Sequence, residues 1–283
     1  MLFSILVANY NNGNFFLEFY HSILQQTYSN WEVIIVDDNS TDGSVNIIRE
    51  LIGGDNRFKL FLNGNNYGCG YTKKRCAELA TGQICGFVDP DDTIVDNAVE
   101  VMINAHIKNP DVSLVHSNFN FCNEFLQKIS TFGRAKSVEV NKRFTNLGAN
   151  VNPFATFKKI FYERTEGIDA SGKRAVDQDL YLKLSETGPF YFIDKPLYNY
   201  RIHKNGISTS KSDQAFYWFL KMIMKAEERR KINLEDEVAV YLNRYNPGNL
   251  EVNLANPRYL ILAMIRAFKK KPAGFLRKLF FNR

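Results

Sequence analysis

LFSILVANYNNGN, residues 2–14, joins a nearly continuous apolar run to a polar loop rich in asparagine. A short run without polar alternation is the pattern of a strand buried on both faces, as in a parallel sheet covered by helices. FFLEFYHSILQQT follows, placing Phe15, Phe16, Phe19, Tyr20, Ile23 and Leu24 along one helical face, with Asn14 as its predicted cap. WEVIIVDD (31–38) is a second buried strand, and NSTDGSVNIIRELI a turn and helix in which Asp42 or Ser44 satisfies the first free N–H groups. RFKLFLN supplies a third strand from 57, a helix covers about 71–80, and QICGFVD begins a fourth strand at 83. Strands alternating with helices at this spacing indicate βαβ units and an α/β fold with an open, mostly parallel sheet. In such sheets ligands bind beyond the carboxyl ends of the strands.

Farther along, the pattern predicts a helix over 93–109 and a fifth strand near 112. From 120 to 175 periodicity weakens, which reads as an irregular insert with short strands and a helix near 153–163. VDQDLYLKLSETG is helical, with Leu180, Leu182 and Leu184 as its apolar content, and PFYFIDKPLYNYRIH reads as a run of short strands. Helices are predicted at roughly 211–231, 234–245 and 257–280, the last broken at Pro272. The expected organisation is a core domain over 1–210 that divides near 117. A helical extension occupies 211–283.

Composition fits an ordinary folded protein: 45% of the 283 residues are hydrophobic and 23% charged. Cys69, Cys76, Cys85 and Cys122 form no CxxC pair, so they read as reduced cytosolic thiols rather than a zinc site. No apolar run reaches 18 residues and the start has no basic n-region, so neither a spanning helix nor export is expected. The net charge of +6 is uneven, with seven basic and no acidic residues between Arg266 and Arg283. Bulky apolar residues are interleaved with these cations. The segment 257–283 can therefore meet an anionic membrane surface, or pack its rings on the domain and leave its charges solvated. It matches no nucleic-acid-binding module, so no nucleic-acid partner is expected.

The chemistry concentrates at predicted strand ends. The loop after the first strand has one glycine and no GxGxxG, and no GxxxxGK[ST] occurs. Asp89-Pro90-Asp91-Asp92 ends the fourth strand, where clustered carboxylates can hold Mn2+ or Mg2+ against a diphosphate, or Asp92 can simply cap a helix starting at Thr93. Asp37 and Asp38 end the second strand. One of them can accept the imide N–H of a base while Tyr10 stacks on it, or Asp37-Asp38-Asn39 can be a self-bonded turn. Asp177 and Asp179 sit near a helix start, as a general base or as matches to the helix dipole. His203 can complete a metal shell or be structural.

Together SILVANYN (4–11), VIIVDDNSTDGS (33–44), NNYGCGYTKKRC (65–76), TGQICGFVDPDD (81–92), VDQDLYLKL (176–184) and YRIHKNGIS (200–208) resemble the family 2 glycosyltransferases of GT-A fold. The resemblance covers about residues 1–210 and implies a nucleotide-binding half to about 117 and an acceptor half over 118–210. It implies that Ala8, Tyr10, Asn11 and Asp38 contact the donor base. Lys73 stands where the family usually has arginine, which keeps a charge for phosphate but loses the bidentate fork. It further implies Asp91 and His203 as metal ligands, Asp89 and Pro90 at the donor, and Asp92 and Gln178 as supporting residues. Gln178-Asp179 is taken for the family's ED pair, which makes Asp179 the base of an inverting, metal-dependent transfer. The implied donor is a nucleoside-diphosphate sugar, UDP-linked above TDP or GDP. The implied acceptor is a glycan or lipid-linked glycan of surface polysaccharide synthesis. The nearest enzymatic rival is a nucleotidyltransferase, which would carry a glycine- and basic-rich phosphate loop that NYNNGN does not supply.

Overall fold

A computed structural model of the chain describes residues 1–204, 206, 212–238 and 240. Its strands are β1 (Phe3–Asn9), β2 (Trp31–Asp37), β3 (Phe58–Leu62), β4 (Ile84–Phe87), β5 (Thr93–Ile94), β6 (Leu114–Cys122), β7 (Lys128–Thr131), β8 (Ala155–Lys158) and β9 (Phe190–Arg201). The helices are α1 (Phe16–Leu24), α2 (Ser44–Ile52), α3 (Cys69–Leu79), α4 (Ala98–Lys108), α5 (Lys159–Tyr162), α6 (Val176–Leu184) and α7 (Ser212–Arg230). The strands form one open sheet in the order β3-β2-β1-β4-β8-β6-β9-β5, with β7 paired to β6. From β3 to β4 every pairing is parallel, and β6 and β9 are parallel too. Pairings of β8 with β4 and β6 are antiparallel.

The continuous apolar run of β1 is explained by cores on both faces. Phe3, Ile5 and Val7 enter one core with α1, α2 and α4, while Leu6 enters the other with α3, α5, α6 and α7. Each such fully buried side chain contributes about 1.5–3 kcal/mol. The parallel half thus brings the carboxyl ends of β1, β2 and β4 to one edge of the sheet.

Several local expectations change. Helix α1 begins at Phe16, after a 3-10 turn over Gly13–Phe15, so Asn14 is not its cap; Phe15 is, without a side-chain bond. Asp42 does accept the Ser44 N–H at the start of α2 (3.0 Å). Thr93 and Ile94 pair with β9 instead of starting a helix, and α4 begins five residues later, at Ala98. The helix placed over 153–163 is strand β8 followed by the single turn α5, because residues 155–157 complete the ladder between β4 and β6. The 190–201 stretch is one strand, irregular in register between Ser117 and Phe119 of its partner. The helices expected beyond 240, with the basic segment 257–283, lie outside the described residues.

Glu32 shows how the parallel strands are fastened. It is buried on β2 and accepts from Ser4 Oγ (2.6 Å), Thr81 N (2.6 Å) and Thr81 Oγ1 (2.8 Å), with Lys59 Nζ at 2.7 Å. Desolvation opposes its charge, but these donors outweigh it and lower its pKa to about 2. Glu32→Gln should cost about 1–3 kcal/mol at pH 7 by urea unfolding, since the Lys59 pairing is lost and donors compete for one carbonyl. A depressed carboxylate stabilises above its unfolded pKa, so the gap between variant and wild type should close as pH falls from about 4.5 towards about 2.

Candidate active site

Beyond the carboxyl ends of β1, β2 and β4 lies a cavity of about 630 Å³. Ala8, Tyr10 and Asn11 form its wall at the end of β1. Asn11 holds the left-handed conformation (φ 55°) and is tied across to the second loop, its N–H donating to Ser40 Oγ (2.9 Å) and its Oδ1 accepting from Thr41 N (2.8 Å).

The paired aspartates at the end of β2 divide their work. Asp37 makes the self-bonded turn, accepting from Ser40 N (2.8 Å), Ser40 Oγ (2.6 Å) and Asn9 Nδ2 (2.7 Å). Asp38 lines the cavity instead, and accepts from Tyr67 N (2.9 Å), Gly68 N (2.7 Å) and Asn63 Nδ2 (2.7 Å). Gly68 presents its N–H from a positive φ of 90° that side chains disfavour. Asp38 thereby fixes the start of α3, and with it Lys73.

The four residues after Val88 form a turn in which Asp92 N donates to Asp89 O (3.0 Å). Asp89, Pro90, Asp91 and Asp92 all line the cavity, in different settings. Asp92 is 2% exposed; its oxygens accept from Arg201 N (2.7 Å) and Tyr198 OH (2.7 Å), so it latches the turn to β9 rather than capping a helix. Burial, followed by the charges of Asp91 and Asp89, pushes its pKa well above the carboxylate range. Asp91 Oδ2 meets His203 Nε2 at 2.9 Å. His203 stands just outside the cavity, against the ring of Phe15 at 4.6 Å between centroids, while the Arg201 guanidinium lies 4.9 Å over that same ring.

Lys73, 5% exposed on α3, reaches Asp177 Oδ1 (2.8 Å) and Asp89 Oδ1 (3.2 Å). Burial works against its charge, but those two carboxylates prevail and hold its pKa well above the usual value. Asp89 is raised in turn, by desolvation and by Asp177 and Asp91 acting against Lys73.

On α6 the structure places Asp179 away from the cavity that a base would have to face. Asp179 is 1% exposed, lies outside the cavity lining, and accepts from Lys183 Nζ (2.8 Å) and Asp169 N (2.9 Å). It pins the loop before α6 and is not positioned as a base. Asp177, two residues earlier, faces the cavity. Lys183, four residues after Asp179, is the sequence signal for this: an i,i+4 pair on one helical face engages Asp179, while position 181 offers Asp177 only a tyrosine. Gln178 also points away and accepts from Asn146 Nδ2 (2.8 Å), bracing the 146–151 loop. Sequence reasoning did not single out Tyr198 and Arg201, which hold Asp92, or Lys173 and Arg174, which line the cavity beside Asp177.

Residues 4–165 match Glycosyl transferase family 2. Chondroitin synthase of Escherichia coli is 32% identical over 213 residues, which are 75% of this chain; the chain spans 30% of that synthase's length. The fold is similar to S. aureus TarS 1-349 in complex with UDP-GlcNAc (TM-score 0.68, 18% identity, covering 90% of this chain and 75% of that one). It is also similar to the mannosyltransferase PcManGT from Pyrobaculum calidifontis in complex with GDP-Man and Mn2+ (TM-score 0.60, 18% identity, covering 95% and 81%).

The latch on the aspartate turn can be tested directly. Tyr198 OH donates to Asp92 and accepts from Asp89 N (3.2 Å), so Tyr198→Phe strips a partner from two groups. Urea unfolding should show a loss of about 1–3 kcal/mol; an unchanged midpoint would mean the turn is held by other contacts.

Proposed function

The chain belongs to glycosyl transferase family 2, and we propose that it moves a sugar, with inversion, from a nucleoside-diphosphate donor to a hydroxyl of a glycan or lipid-linked acceptor. One observation carries this reading. A single cavity gathers Asp38 from just after β2, the Asp89–Asp92 turn after β4, and Asp177 from α6. Ala8, Tyr10, Asn11 and Asp38 receive the base of the donor, and Asp89 and Pro90 its ribose and sugar.

Asp177 is the base. Its carboxylate takes the proton of the acceptor hydroxyl as that oxygen bonds to the anomeric carbon. The bond from that carbon to the diphosphate breaks on the opposite face, and the electron pair leaves with the diphosphate. Held against the acceptor in this way, one carboxylate suffices.

The residues present fit a divalent cation, Mn2+ or Mg2+. A carboxylate oxygen of Asp91 and a ring nitrogen of His203 converge at 2.9 Å beside the cavity. Among the described residues no set of three His, Cys, Asp or Glu side chains closes round one point. Diphosphate oxygens and water would complete the shell, as is usual for such cations at nucleotide sites. When bound, the ion supplies neutralising charge for the departing diphosphate.

UDP is the favoured nucleotide, supported by a likeness in fold to the UDP-GlcNAc complex (TM-score 0.68) that exceeds the likeness to the GDP-Man complex (0.60). A polysaccharide acceptor is supported by the likeness to a chondroitin synthase. Among the described residues no helix is long and apolar enough to cross a membrane. The basic segment 257–283 would bring the enzyme to an anionic, cytoplasm-facing membrane surface where lipid-linked acceptors lie.

Calorimetry with UDP, TDP and GDP, with and without Mn2+, tests the donor site, and nucleoside diphosphate release from a panel of sugar nucleotides tests turnover. One diphosphate should bind in a metal-dependent way, and Asp91→Ala should weaken that binding. Asp177→Asn should leave binding intact and lower turnover by about 10²–10⁴-fold, the usual contribution of a general base. Metal-independent or absent binding of all three nucleotides would overturn the reading, and wild-type turnover in Asp177→Asn would remove Asp177 as the base.

A further inference from the structure

We propose that Lys73 is a positioning residue for Asp177, setting the direction of its proton-accepting oxygen, and not a ligand of the donor phosphate; this rests on the reading of Asp177 as the base. Lysine has three N–H donors. In this structure Lys73 meets two acceptors, Asp177 Oδ1 at 2.8 Å and Asp89 Oδ1 at 3.2 Å, and its ammonium lies 5.1 Å over the ring of Phe87. Among the described residues Lys73 is the only basic side chain ion-paired to Asp177.

Three separate elements meet at this nitrogen. Lys73 comes from α3, Asp89 from the turn after β4, and Asp177 from α6, 104 residues along the chain. The reach of the lysine is set because α3 is seated against the loop before α6. Gly70 N donates to Gly172 O (2.8 Å), and a Cβ on Gly70 would stand 2.4 Å from Asp169 O. By engaging Oδ1 of both carboxylates, Lys73 leaves Asp177 Oδ2 for the acceptor hydroxyl and Asp89 Oδ2 for the donor. The distance between base and donor is then fixed by one ammonium. An arginine would spread its charge over a wider planar fork and separate the same two carboxylates differently.

The test compares Lys73→Met and Lys73→Arg with the wild type. Calorimetry uses UDP, or whichever of TDP and GDP the wild type prefers, with Mn2+; kcat and KM come from turnover of the matching sugar nucleotide. Lys73→Met should bind the nucleotide within about threefold of wild type and lose about a hundredfold in kcat, the scale of a small misplacement of a reacting group. Lys73→Arg should recover part of that kcat at unchanged nucleotide affinity. Nucleotide affinity weakened about tenfold or more, with kcat at saturating donor preserved, would make Lys73 a phosphate ligand and overturn the proposal. If Lys73→Met does not fold, Lys73→Arg decides: lowered kcat at unchanged affinity supports the positioning role, and unchanged kcat overturns it. A wild type that binds none of the three nucleotides defeats the glycosyltransferase reading of the cavity itself, an outcome separate from these.

Discussion

Mutual repulsion among carboxylates is the constraint to which this site is built. Asp38, Asp89, Asp91, Asp92 and Asp177 line one cavity. Two unit charges 4 Å apart repel by about 4 kcal/mol at an effective dielectric of 20. The fold gives every one of these carboxylates a partner. Backbone N–H groups at the start of α3 hold Asp38, and β9 holds Asp92 through Arg201 N and Tyr198. His203 meets Asp91, and Lys73 serves Asp89 and Asp177 together. The partners come from α3 and the residues before it and from β9 and the residues after it, the carboxylates from the segments after β2 and β4 and from α6, so satisfying the charges also sets the positions of these elements.

Much of this architecture was legible in the sequence. Uninterrupted apolar runs such as LFSILVA and WEVIIVD announce strands covered on both faces, and both are strands of the parallel half. Their polar ends mark the edge at which the cavity opens. The second half was harder, because β8 and β9 are placed by pairing with β4 and β6, partners distant in sequence. Local pattern made residues 155–158 look helical and broke β9 into pieces. The irregular register near its middle and Pro196 account for that fragmented appearance.

The site was legible as a set of residue types more than as roles. Composition and spacing place Asp38, Asp89 and Asp91 at strand ends, and the structure gathers them. Helix α6 shows where that approach stops. Asp177 and Asp179 are alike by type, and the two-residue offset turns one to the cavity and the other to the core. The lysine four residues after Asp179 carried the distinction. The buried pair Asp179–Lys183 has its own use, since Lys183 also donates to Gly167 O (2.7 Å) and Asp179 accepts from Asp169 N, so the loop leading into α6 is held at both places. Lys225 of α7 adds a further tie to Asp169. Of these two aspartates, Asp177 is the catalytic candidate and Asp179 holds the loop that leads into its helix.

The most direct measurement is a crystal structure with Mn2+ and a bound nucleoside-diphosphate sugar that the enzyme turns over. The expected arrangement has the base beside Asp38 and Tyr10, the diphosphate beside Asp91 and His203, and Asp177 facing the side of the anomeric carbon opposite the diphosphate. A donor bound with its anomeric carbon turned away from Asp177, or a different carboxylate on that open face, would contradict it.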